Sequence, residues 1–590
     1  MVRRRIIAGG NPSRRNDKMT GAEMIIHALR QEGVRALFGY PGGMVIDIFD
    51  QLYRSGFPFY LTRHEQGAVH AADGFARASG EVGVCLATSG PGATNLVTGL
   101  ATAYMDSIPL VAITGQVPTH LIGNDAFQEA DMLGITRSIT KHNYLVKEVD
   151  ELPRLLKSAF YIARSGRPGP VLIDIPKDVQ QASTEVPYPE QVSIRSYKPT
   201  LNGHLPQIQK AAARINRAER PVVFAGGGVL SSGASDELGH LARTLQAPVT
   251  TSLMGLGAFP ETDPLALKMV GMHGTAYANY AIQEADLLIA IGVRFDDRVT
   301  GKVSKFAPKA DIIHIDIDPA TIRKNVKVAI PVVGDIKCVL TELNQRIEPR
   351  RHDAWLETIA SWKRDHPLQY TQNGGISPQA VIRTLAEMTR HEAIIATEVG
   401  QNQMWSAQFF DFVQPRSWIS SGGLGTMGFG FPAAIGAQIA HPDKLVIDIA
   451  GDGSIQMNIQ ELATAALYHL PVKIIILNNR SLGMVRQWQA IFYQRRFSGI
   501  CLNRDARCPE ACDGRSESCP VYLPDFVKLA AAYNIPGYRS DQPGEVRPLL
   551  EKAFAHDGPV IVEFVISAEE NVFPMVPAGA GLNEMMRGMA

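Results

Sequence analysis

The chain has 590 residues, of which 45% are hydrophobic and 20% charged, with Lys+Arg at 58 and Asp+Glu at 58. That length exceeds what one hydrophobic core serves and implies about three domains. The charge balance argues against nucleic acid or an anionic membrane as partner, and apolar runs such as residues 471–477 are far short of a membrane span. Residues 1–18 are Arg-rich (Arg3, Arg4, Arg5, Arg14, Arg15) without the apolar centre of a secretory signal, and read as a disordered extension. Six cysteines in so long a chain do not make a secreted disulfide scaffold, so a cytoplasmic protein is expected.

From residue 19 to 187, short apolar runs at 82–87, 110–114 and 171–175 alternate with helix-like stretches such as 68–78. This is the pattern of a doubly wound α/β domain with a parallel sheet. A proline-bearing linker, 186–203, leads to a second α/β block over 204–345, with strands expected near Val222, Leu287 and Ile312. A polar connector, 346–374, precedes a third block over 375–566, with strands at Ile394, Leu445, Lys473 and Val560, and a tail follows at 567–590. The first and third blocks echo each other. ATSGPG is followed by LATAYMDSIPLVAITG in one, and IAGDGS by ELATAALYHLPVKIIIL in the other. Aligning Gly90 with Gly451 brings Leu100-Ala101-Thr102-Ala103 within one residue of Leu462-Ala463-Thr464-Ala465, which predicts two related domains binding ligands beyond the carboxyl ends of their strands.

The most informative motif is IDIAGDGS at 447–454, followed about 27 residues after Asp452 by Asn478-Asn479, directly behind an apolar strand. Oxygen ligands placed this way suit Mg²⁺: the Asp452 carboxylate, the Asn479 side-chain oxygen and the Ser481 backbone carbonyl. Gly451 and Gly453 let the backbone approach a diphosphate, while Ser454, loop N–H groups and a helix expected to begin near Asn458 add donors. Together these features resemble the thiamin diphosphate (ThDP) binding motif. The resemblance implies that Glu65, in TRHEQGAVHAADGFARASG, hydrogen-bonds the cofactor's aminopyrimidine and promotes the tautomer that removes the thiazolium proton. It also implies that Val399, Gly400, Gln401, Asn402, Gly425 and Met484 line the cofactor slot, and that Met427, in SGGLGTMGFGFPAAIGA, is the apolar wedge that bends the cofactor. In such enzymes the glutamate and the diphosphate site come from different subunits, so a homodimer at least, and up to a tetramer, is expected.

FGYPGG (38–43), ITGQVP (113–118), DAFQEAD (125–131), SGRPGPVLIDIPKDV (165–179), GVRFDDRVTGK (292–302) and LGMVRQWQ (482–489) together resemble the acetohydroxyacid (acetolactate) synthase family from residue 19 to the C-terminus. That family decarboxylates pyruvate and joins the two-carbon unit to a second 2-oxoacid in branched-chain amino-acid biosynthesis. The resemblance implies three doubly wound domains: pyrimidine-binding, central FAD-binding and diphosphate-binding. It implies that the flavin is structural and contacts Arg167, Gly226, Gly227, Gly228, Ser252, Leu253, Met254, Met272, His273, Gly292, Arg294, Asp316 and Asp335. Arg298 would place the second 2-oxoacid's carboxylate, Trp488 would shape its pocket, Gly42 and Gly43 would leave space beside the thiazolium, and Phe127, Gln128 and Lys177 would complete the channel. A regulatory small subunit is a further implied partner.

Two positions depart from the family's usual TDVGQHQMW, which here reads TEVGQNQMW, with Glu398 for aspartate and Asn402 for histidine; the Asn402 amide can still hydrogen-bond a phosphate. The rival enzymes are glyoxylate carboligase, against which Glu65 argues, and pyruvate oxidase; the RQWQ segment argues against both. A non-catalytic paralogue is opposed by Glu65, Asp452, Asn479 and Arg298. One stretch falls outside the family pattern: Cys501, Cys508, Cys512 and Cys519, spaced C-x6-C-x3-C-x6-C within an insertion at 501–519. Four thiolates can satisfy tetrahedral Zn²⁺ or an iron–sulfur cluster, although zinc ribbons use C-x2-C pairs. The competing reading is a surface insertion with disulfides or free thiols.

Overall fold

Runs such as Leu110–Gln116 and Leu287–Ile291 are buried at every residue rather than alternately, as parallel strands covered by helices on both faces require. The computed structural model describes residues 18–370, 374–504, 508, 519–520, 522 and 524–588. A short antiparallel pair, β1 (Met19–Thr20) with β8 (Ser183–Thr184), closes the first domain. Its sheet holds β2 (Leu37–Gly39), β3 (Phe59–Leu61), β4 (Gly83–Ala87), β5 (Leu110–Gln116), β6 (His142–Leu145) and β7 (Pro170–Pro176), in the order β3-β2-β4-β5-β7-β6. The middle sheet holds β9 (Pro221–Ala225), β10 (Val249–Thr251), β11 (Ala266–Met269), β12 (Leu287–Ile291), β13 (Asp311–Asp316) and β14 (Ile330–Val333), in the order β11-β10-β9-β12-β13-β14. The third holds β15 (Ile394–Thr397), β16 (Trp418–Ile419), β17 (Val446–Gly451), β18 (Lys473–Asn478), β19 (Gly537–Ser540) and β20 (Val560–Val565), in the order β16-β15-β17-β18-β20-β19.

All strand pairs within these three sheets are parallel. The first and third sheets share one topology, and the motifs that echo in the sequence follow the equivalent strands β4 and β17. The middle sheet has the 3-2-1-4-5-6 order of dinucleotide-binding folds. In each sheet the order of the strands reverses beside its first strand, and that crevice is where ligands of such folds bind.

Two local expectations are corrected. The stretch read as a polar connector, 346–374, contains the helix Asp353–Asp365, because Trp355 and Ile359 stand one turn apart on a buried stripe within an otherwise polar segment. Trp355 donates its indole N–H to the Pro221 carbonyl at 3.2 Å, and Trp362 packs edge-on against it. The helix expected near Asn458 begins instead at Leu462, after 3₁₀ turns at Ile455–Met457 and Ile459–Glu461. Asn458 breaks the run by turning its amide to donate to the Gly428 carbonyl at 2.7 Å.

The first and third domains meet where the helix Glu65–Ser79 crosses the helix Gly430–Ala440. Glycine is required at this crossing. A Cβ on Gly74 would overlap the Ala433 carbonyl, and one on Gly436 the Ala71 carbonyl. Arg77 locks the junction from within: it pairs with Asp73 and, at 2.9 Å, with Asp106, donates to the Ser420 carbonyl at 2.9 Å, and lies over the Phe429 ring. Asp106 in turn accepts the N–H groups of Gly422 and Gly423, fixing the loop that leads to Met427.

Candidate active site

Asp452 and Asn479 are brought together because β17 and β18 are neighbours in register, Gly451 opposite Leu477, and each residue follows the carboxyl end of its strand. Asp452 is buried, its Oδ2 has no partner among the described residues, and the Asn479 backbone N–H faces its carboxyl. Burial pushes its pKa up to about 7 against the opposing pull of the Tyr522 hydroxyl and of that N–H. A buried carboxylate with an open oxygen beside a side-chain amide oxygen is a donor set that fits a hard divalent cation. Ser481 completes it in a specific way. It pairs with Cys501 in an isolated antiparallel bridge whose hydrogen bonds run from Leu482 N–H to the Ile500 carbonyl and from Leu502 N–H to the Arg480 carbonyl. In such a pair the central residue's own groups point away from the partner strand, so the Ser481 carbonyl is left free for a ligand.

A chain of amides orients Asn479. Its Nδ2 donates to Gln401 Oε1 at 3.1 Å, Gln401 Nε2 donates to Gln487 Oε1 and to the Glu570 carbonyl, both at 3.0 Å, and Gln487 Nε2 donates to the Val572 carbonyl at 3.0 Å. With the nitrogen so engaged, Asn479 Oδ1 is the oxygen available to a cation, beyond the Ser481 N–H it accepts at 3.1 Å. Asn402 is committed differently. Its Nδ2 donates to the carbonyls of Glu398 (3.1 Å) and Ile449 (2.8 Å), so both amide hydrogens are used in strapping β15 to β17, and its Oδ1 lies toward Gly400 and Gly451. The phosphate hydrogen bond expected of this amide has no hydrogen left to make it. Gly453 and the buried Ser454 follow Asp452, with Ser454 Oγ donating to the Gly451 carbonyl. Val399 and Gly425 face each other, a Cβ on Gly425 falling 4.0 Å from Val399 Cγ1; Met427, two residues on, and Met484 are half-buried.

The first domain supplies a second constellation at its own switch point, between β2 and β4. Glu65 opens the helix Glu65–Ser79, is 9% exposed, and accepts from Asn95 Nδ2 at 3.0 Å. Thr88, behind β4, joins the parts: its Oγ1 accepts the Met44 N–H at 3.2 Å, and its side chain fills the space a Cβ on Gly42 or Gly92 would need. Lys177 donates to the Gly43 carbonyl at 3.1 Å, and Gln128, at φ 61°, lies against Gly90. Phe127 is 83% exposed. Sequence reasoning missed Thr88, although it stands inside ATSGPG, the very segment that echoes the GDG motif.

Arg298 and Trp488 come from different domains and meet. The guanidinium lies 5.7 Å from the indole centroid, and Arg298 also contacts Met272 Sδ at 3.6 Å. The guanidinium is exposed and therefore free to receive an anion, with Asp297 only loosely placed at 3.9 Å. Glu569, in the C-terminal tail, pairs with Arg486, within this indole-bearing helix Gly483–Phe492, and with Arg495, just beyond its end.

In the middle sheet, every flavin contact expected within that domain lies at or just after the carboxyl end of a strand. Gly226, Gly227 and Gly228 come after β9; Ser252, Leu253 and Met254 after β10; Met272 and His273 after β11; Gly292 and Arg294 after β12; Asp316 ends β13; Asp335 follows β14. Gly292 has φ 61° and a Cβ there would stand 2.7 Å from the Gly228 Cα, so the two loops flanking the switch point can approach only as glycine. Asp335 caps the helix Ile336–Asn344 through the Cys338 N–H and accepts from Ser232 Oγ at 2.8 Å. Burial raises Asp316 to about 6 and lowers His273 to about 4. Arg167 reaches in from the first domain, pairing with Asp318 at 3.2 Å.

Of the cysteine cluster, Cys512 lies outside the described residues. Among the described residues no group of three or more His, Cys, Asp or Glu gathers as a metal site. The insertion's ends are nonetheless tied to the loops that carry Asp452 and Ser481: Cys501 bridges Ser481, Asn503 donates to the Pro520 carbonyl at 3.0 Å, and the Tyr522 hydroxyl reaches the Asp452 carbonyl at 3.5 Å. No helix among the described residues is long and apolar enough to cross a membrane.

Three family descriptions match the chain in succession: the N-terminal TPP binding domain of thiamine pyrophosphate enzymes over residues 19–135, their central domain over 208–343, and their C-terminal TPP binding domain over 398–564. The chain is 52% identical over 582 residues to the probable acetolactate synthase large subunit of Methanocaldococcus jannaschii, covering 96% of this chain and 95% of that one. It is 49% identical over 580 residues to the acetolactate synthase large subunit of Haemophilus influenzae, covering 96% and 98%. It is 47% identical over 583 residues to the chloroplastic acetolactate synthase 1 of Zea mays, covering 97% and 89%.

Proposed function

The chain belongs to the acetolactate synthase large-subunit family of thiamine pyrophosphate enzymes, and from that premise we propose how its own residues carry the reaction. It is an acetolactate synthase: pyruvate loses CO₂, and the remaining two-carbon unit forms a carbon–carbon bond to the keto carbon of a second 2-oxoacid, giving 2-acetolactate from pyruvate or 2-aceto-2-hydroxybutyrate from 2-oxobutyrate. The ThDP thiazolium, when bound, supplies the electron sink that decarboxylation needs.

The single observation that carries the assignment of parts is the buried, open Asp452 oxygen beside Asn479 at the carboxyl ends of β17 and β18. Asp452, Asn479 and the Ser481 carbonyl hold Mg²⁺, and Gly453 and Ser454 leave room for the diphosphate. Glu65 holds or releases a proton at the pyrimidine, where its 9% exposure and its Asn95 hydrogen bond keep the carboxyl oriented and dry. Arg298 orients the acceptor's carboxylate, and Trp488 limits the size of its alkyl group. FAD occupies the loops of the middle sheet as a structural group, since the net reaction transfers no electrons to it.

Large apolar side chains around the two half-sites, Tyr40, Phe127, Leu424 and Met457, are exposed in the single chain. That supports a homodimer in which a second copy covers them and joins Glu65 of one chain to Asp452 of the other. The small regulatory subunit implied by the relatives' designation as large subunits, and a cytoplasmic location, belong to the same proposal. The test is product analysis of the purified protein with ThDP, Mg²⁺ and FAD, supplied with pyruvate alone and with both 2-oxoacids. Acetohydroxyacids appearing with stoichiometric CO₂ are expected; pyruvate consumption without a carbon–carbon product would overturn the reading.

A further inference from the structure

Two buried carboxyl groups beneath the cofactor slot take no part in the chemistry above: Glu398 and Asp448, both 0% exposed. Glu398 follows β15, and Asp448 lies in the adjacent β17, in register with Ala396. Their surroundings differ sharply. Glu398 Oε2 accepts the Gly428 N–H at 2.6 Å and Oε1 the Phe431 N–H at 3.1 Å, with the N–H groups of Phe429 and Gly430 also directed at the carboxyl. These are the donors that open the helix Gly430–Ala440, which have no partners within the helix. A carboxylate seated there is favoured as the anion. Neither oxygen of Asp448 has a partner among the described residues. The two groups meet at Gly430, where a Cβ would stand 2.5 Å from Glu398 N and 2.6 Å from Asp448 Oδ1.

We propose that Glu398 is a positioning residue that sets the width of the cofactor slot. Its backbone continues into Val399 and Gly400 on one wall, and its carboxylate holds the turn 428–431, and with it Met427, as the other. Because all the donors go to Glu398, the one proton this buried pair keeps resides on Asp448. Burial raises both carboxyls: Glu398 to about 7 against the pull of its N–H donors, and Asp448, which has no donor and faces Glu398, well above the usual carboxylate range. A neutral Asp448 leaves the negative charge where the helix N-terminus can hold it.

This inference rests on the ThDP site proposed above, and the experiment separates the two. The holoenzyme is assayed as parent, Glu398→Gln, Glu398→Asp, Asp448→Asn and Met427→Ala, with the ThDP KM, the kcat at saturating ThDP and the thermal midpoint measured for each. Glu398→Gln replaces a pure acceptor by an amide whose NH₂ would face N–H donors, so its ThDP KM should rise about ten- to a hundredfold. Glu398→Asp keeps the charge with a shorter reach and should raise the KM only about two- to fivefold, while Asp448→Asn mimics the neutral carboxyl and should stay within about threefold of the parent. If Glu398 acts through Met427, adding Glu398→Gln to Met427→Ala should raise the KM no further. An unchanged KM in Glu398→Gln, additive losses in the double variant, or a loss in Asp448→Asn as large as in Glu398→Gln would each overturn the proposal. Should Glu398→Gln fail to fold, the Glu398→Asp increase, expected to vanish in the Met427→Ala background, decides in its place. If Met427→Ala alone changes neither KM nor kcat, it is the underlying reading of Met427 as a cofactor contact that fails.

Discussion

Replacing Gln487 by leucine tests whether the amide chain governs the proposed cation site. Gln487 is 0% exposed; its Oε1 accepts from Gln401 Nε2 at 3.0 Å and from the Val572 N–H at 2.8 Å, and its Nε2 donates to the Val572 carbonyl at 3.0 Å. Leucine fills similar space and makes none of these bonds. Val572 is itself buried, so its N–H and carbonyl are both orphaned, at about 1–3 kcal/mol each. Stability should therefore fall by about 2–6 kcal/mol, less whatever water recovers. Gln401 keeps its second anchor, the Glu570 carbonyl, but loses the one that fixes its rotation, and its Oε1 is what turns Asn479. Loosened outer-shell support of this kind weakens a metal site by about ten- to a hundredfold. Activity is titrated with free Mg²⁺ at saturating ThDP, and unfolding is followed in urea. A Gln487→Leu protein that loses stability as expected, yet is half-activated at the parent's Mg²⁺ concentration, would refute the coupling.

The remaining predictions concern the reacting groups and one buried carboxyl. Glu65→Gln should retain ThDP but turn over about 10²–10⁴-fold more slowly, and near-parental exchange of the thiazolium proton would remove Glu65 from its role. Trp488→Leu should shift the product ratio toward acetolactate by about tenfold, within the 1–3 kcal/mol that one methylene is worth, whereas Arg298→Ala should depress both products; an unchanged ratio rejects the pocket assignment. Glu261 joins the middle and third domains by accepting the Phe412 N–H at 2.7 Å, and burial pushes it up to about 7 despite nearby Lys268. A pKa raised by folding gives stability that is complete below the unfolded value, near 4.5, and is lost as pH rises through about 7. Glu261→Gln stays neutral, so it should gain about 1–3 kcal/mol on the parent between pH 5 and pH 8, and a difference in urea unfolding that does not vary with pH refutes this.

The sheets were legible because parallel strands covered on both faces must be apolar at successive positions, and the runs at 110–116, 287–291 and 473–478 stand out on that account. The echo between ATSGPG and IAGDGS carried further still, to the shared strand order of the first and third domains. The helix Asp353–Asp365 stayed hidden because its buried stripe rests on Trp355 and Ile359 amid Asp, Glu, Lys and Arg. Composition reads such a segment as solvated, and only the spacing betrays the face it buries.

Within the site, what the sequence disclosed were groups whose chemistry is local: a carboxylate after a strand, an asparagine after its neighbour, glycines at a switch point. What it concealed were groups whose partners are backbone atoms far along the chain. Gln487 meets Val572 across 85 residues, and Glu398 meets Phe431 across 33. A buried glutamine or glutamate of this kind leaves no periodicity and no spacing rule, because any N–H that the fold brings near will serve it equally well. Glu398 was nevertheless visible as a departure from the family's aspartate. The structure gives that departure a physical meaning: the longer side chain delivers its charge to the first N–H groups of the helix Gly430–Ala440, where the dipole of that helix can hold it. Asn402 carries the opposite lesson, since an amide that looked able to donate to a phosphate has spent both hydrogens on the strand ends. Substituting a residue type therefore predicts chemistry only after the competing backbone acceptors within its reach have been counted.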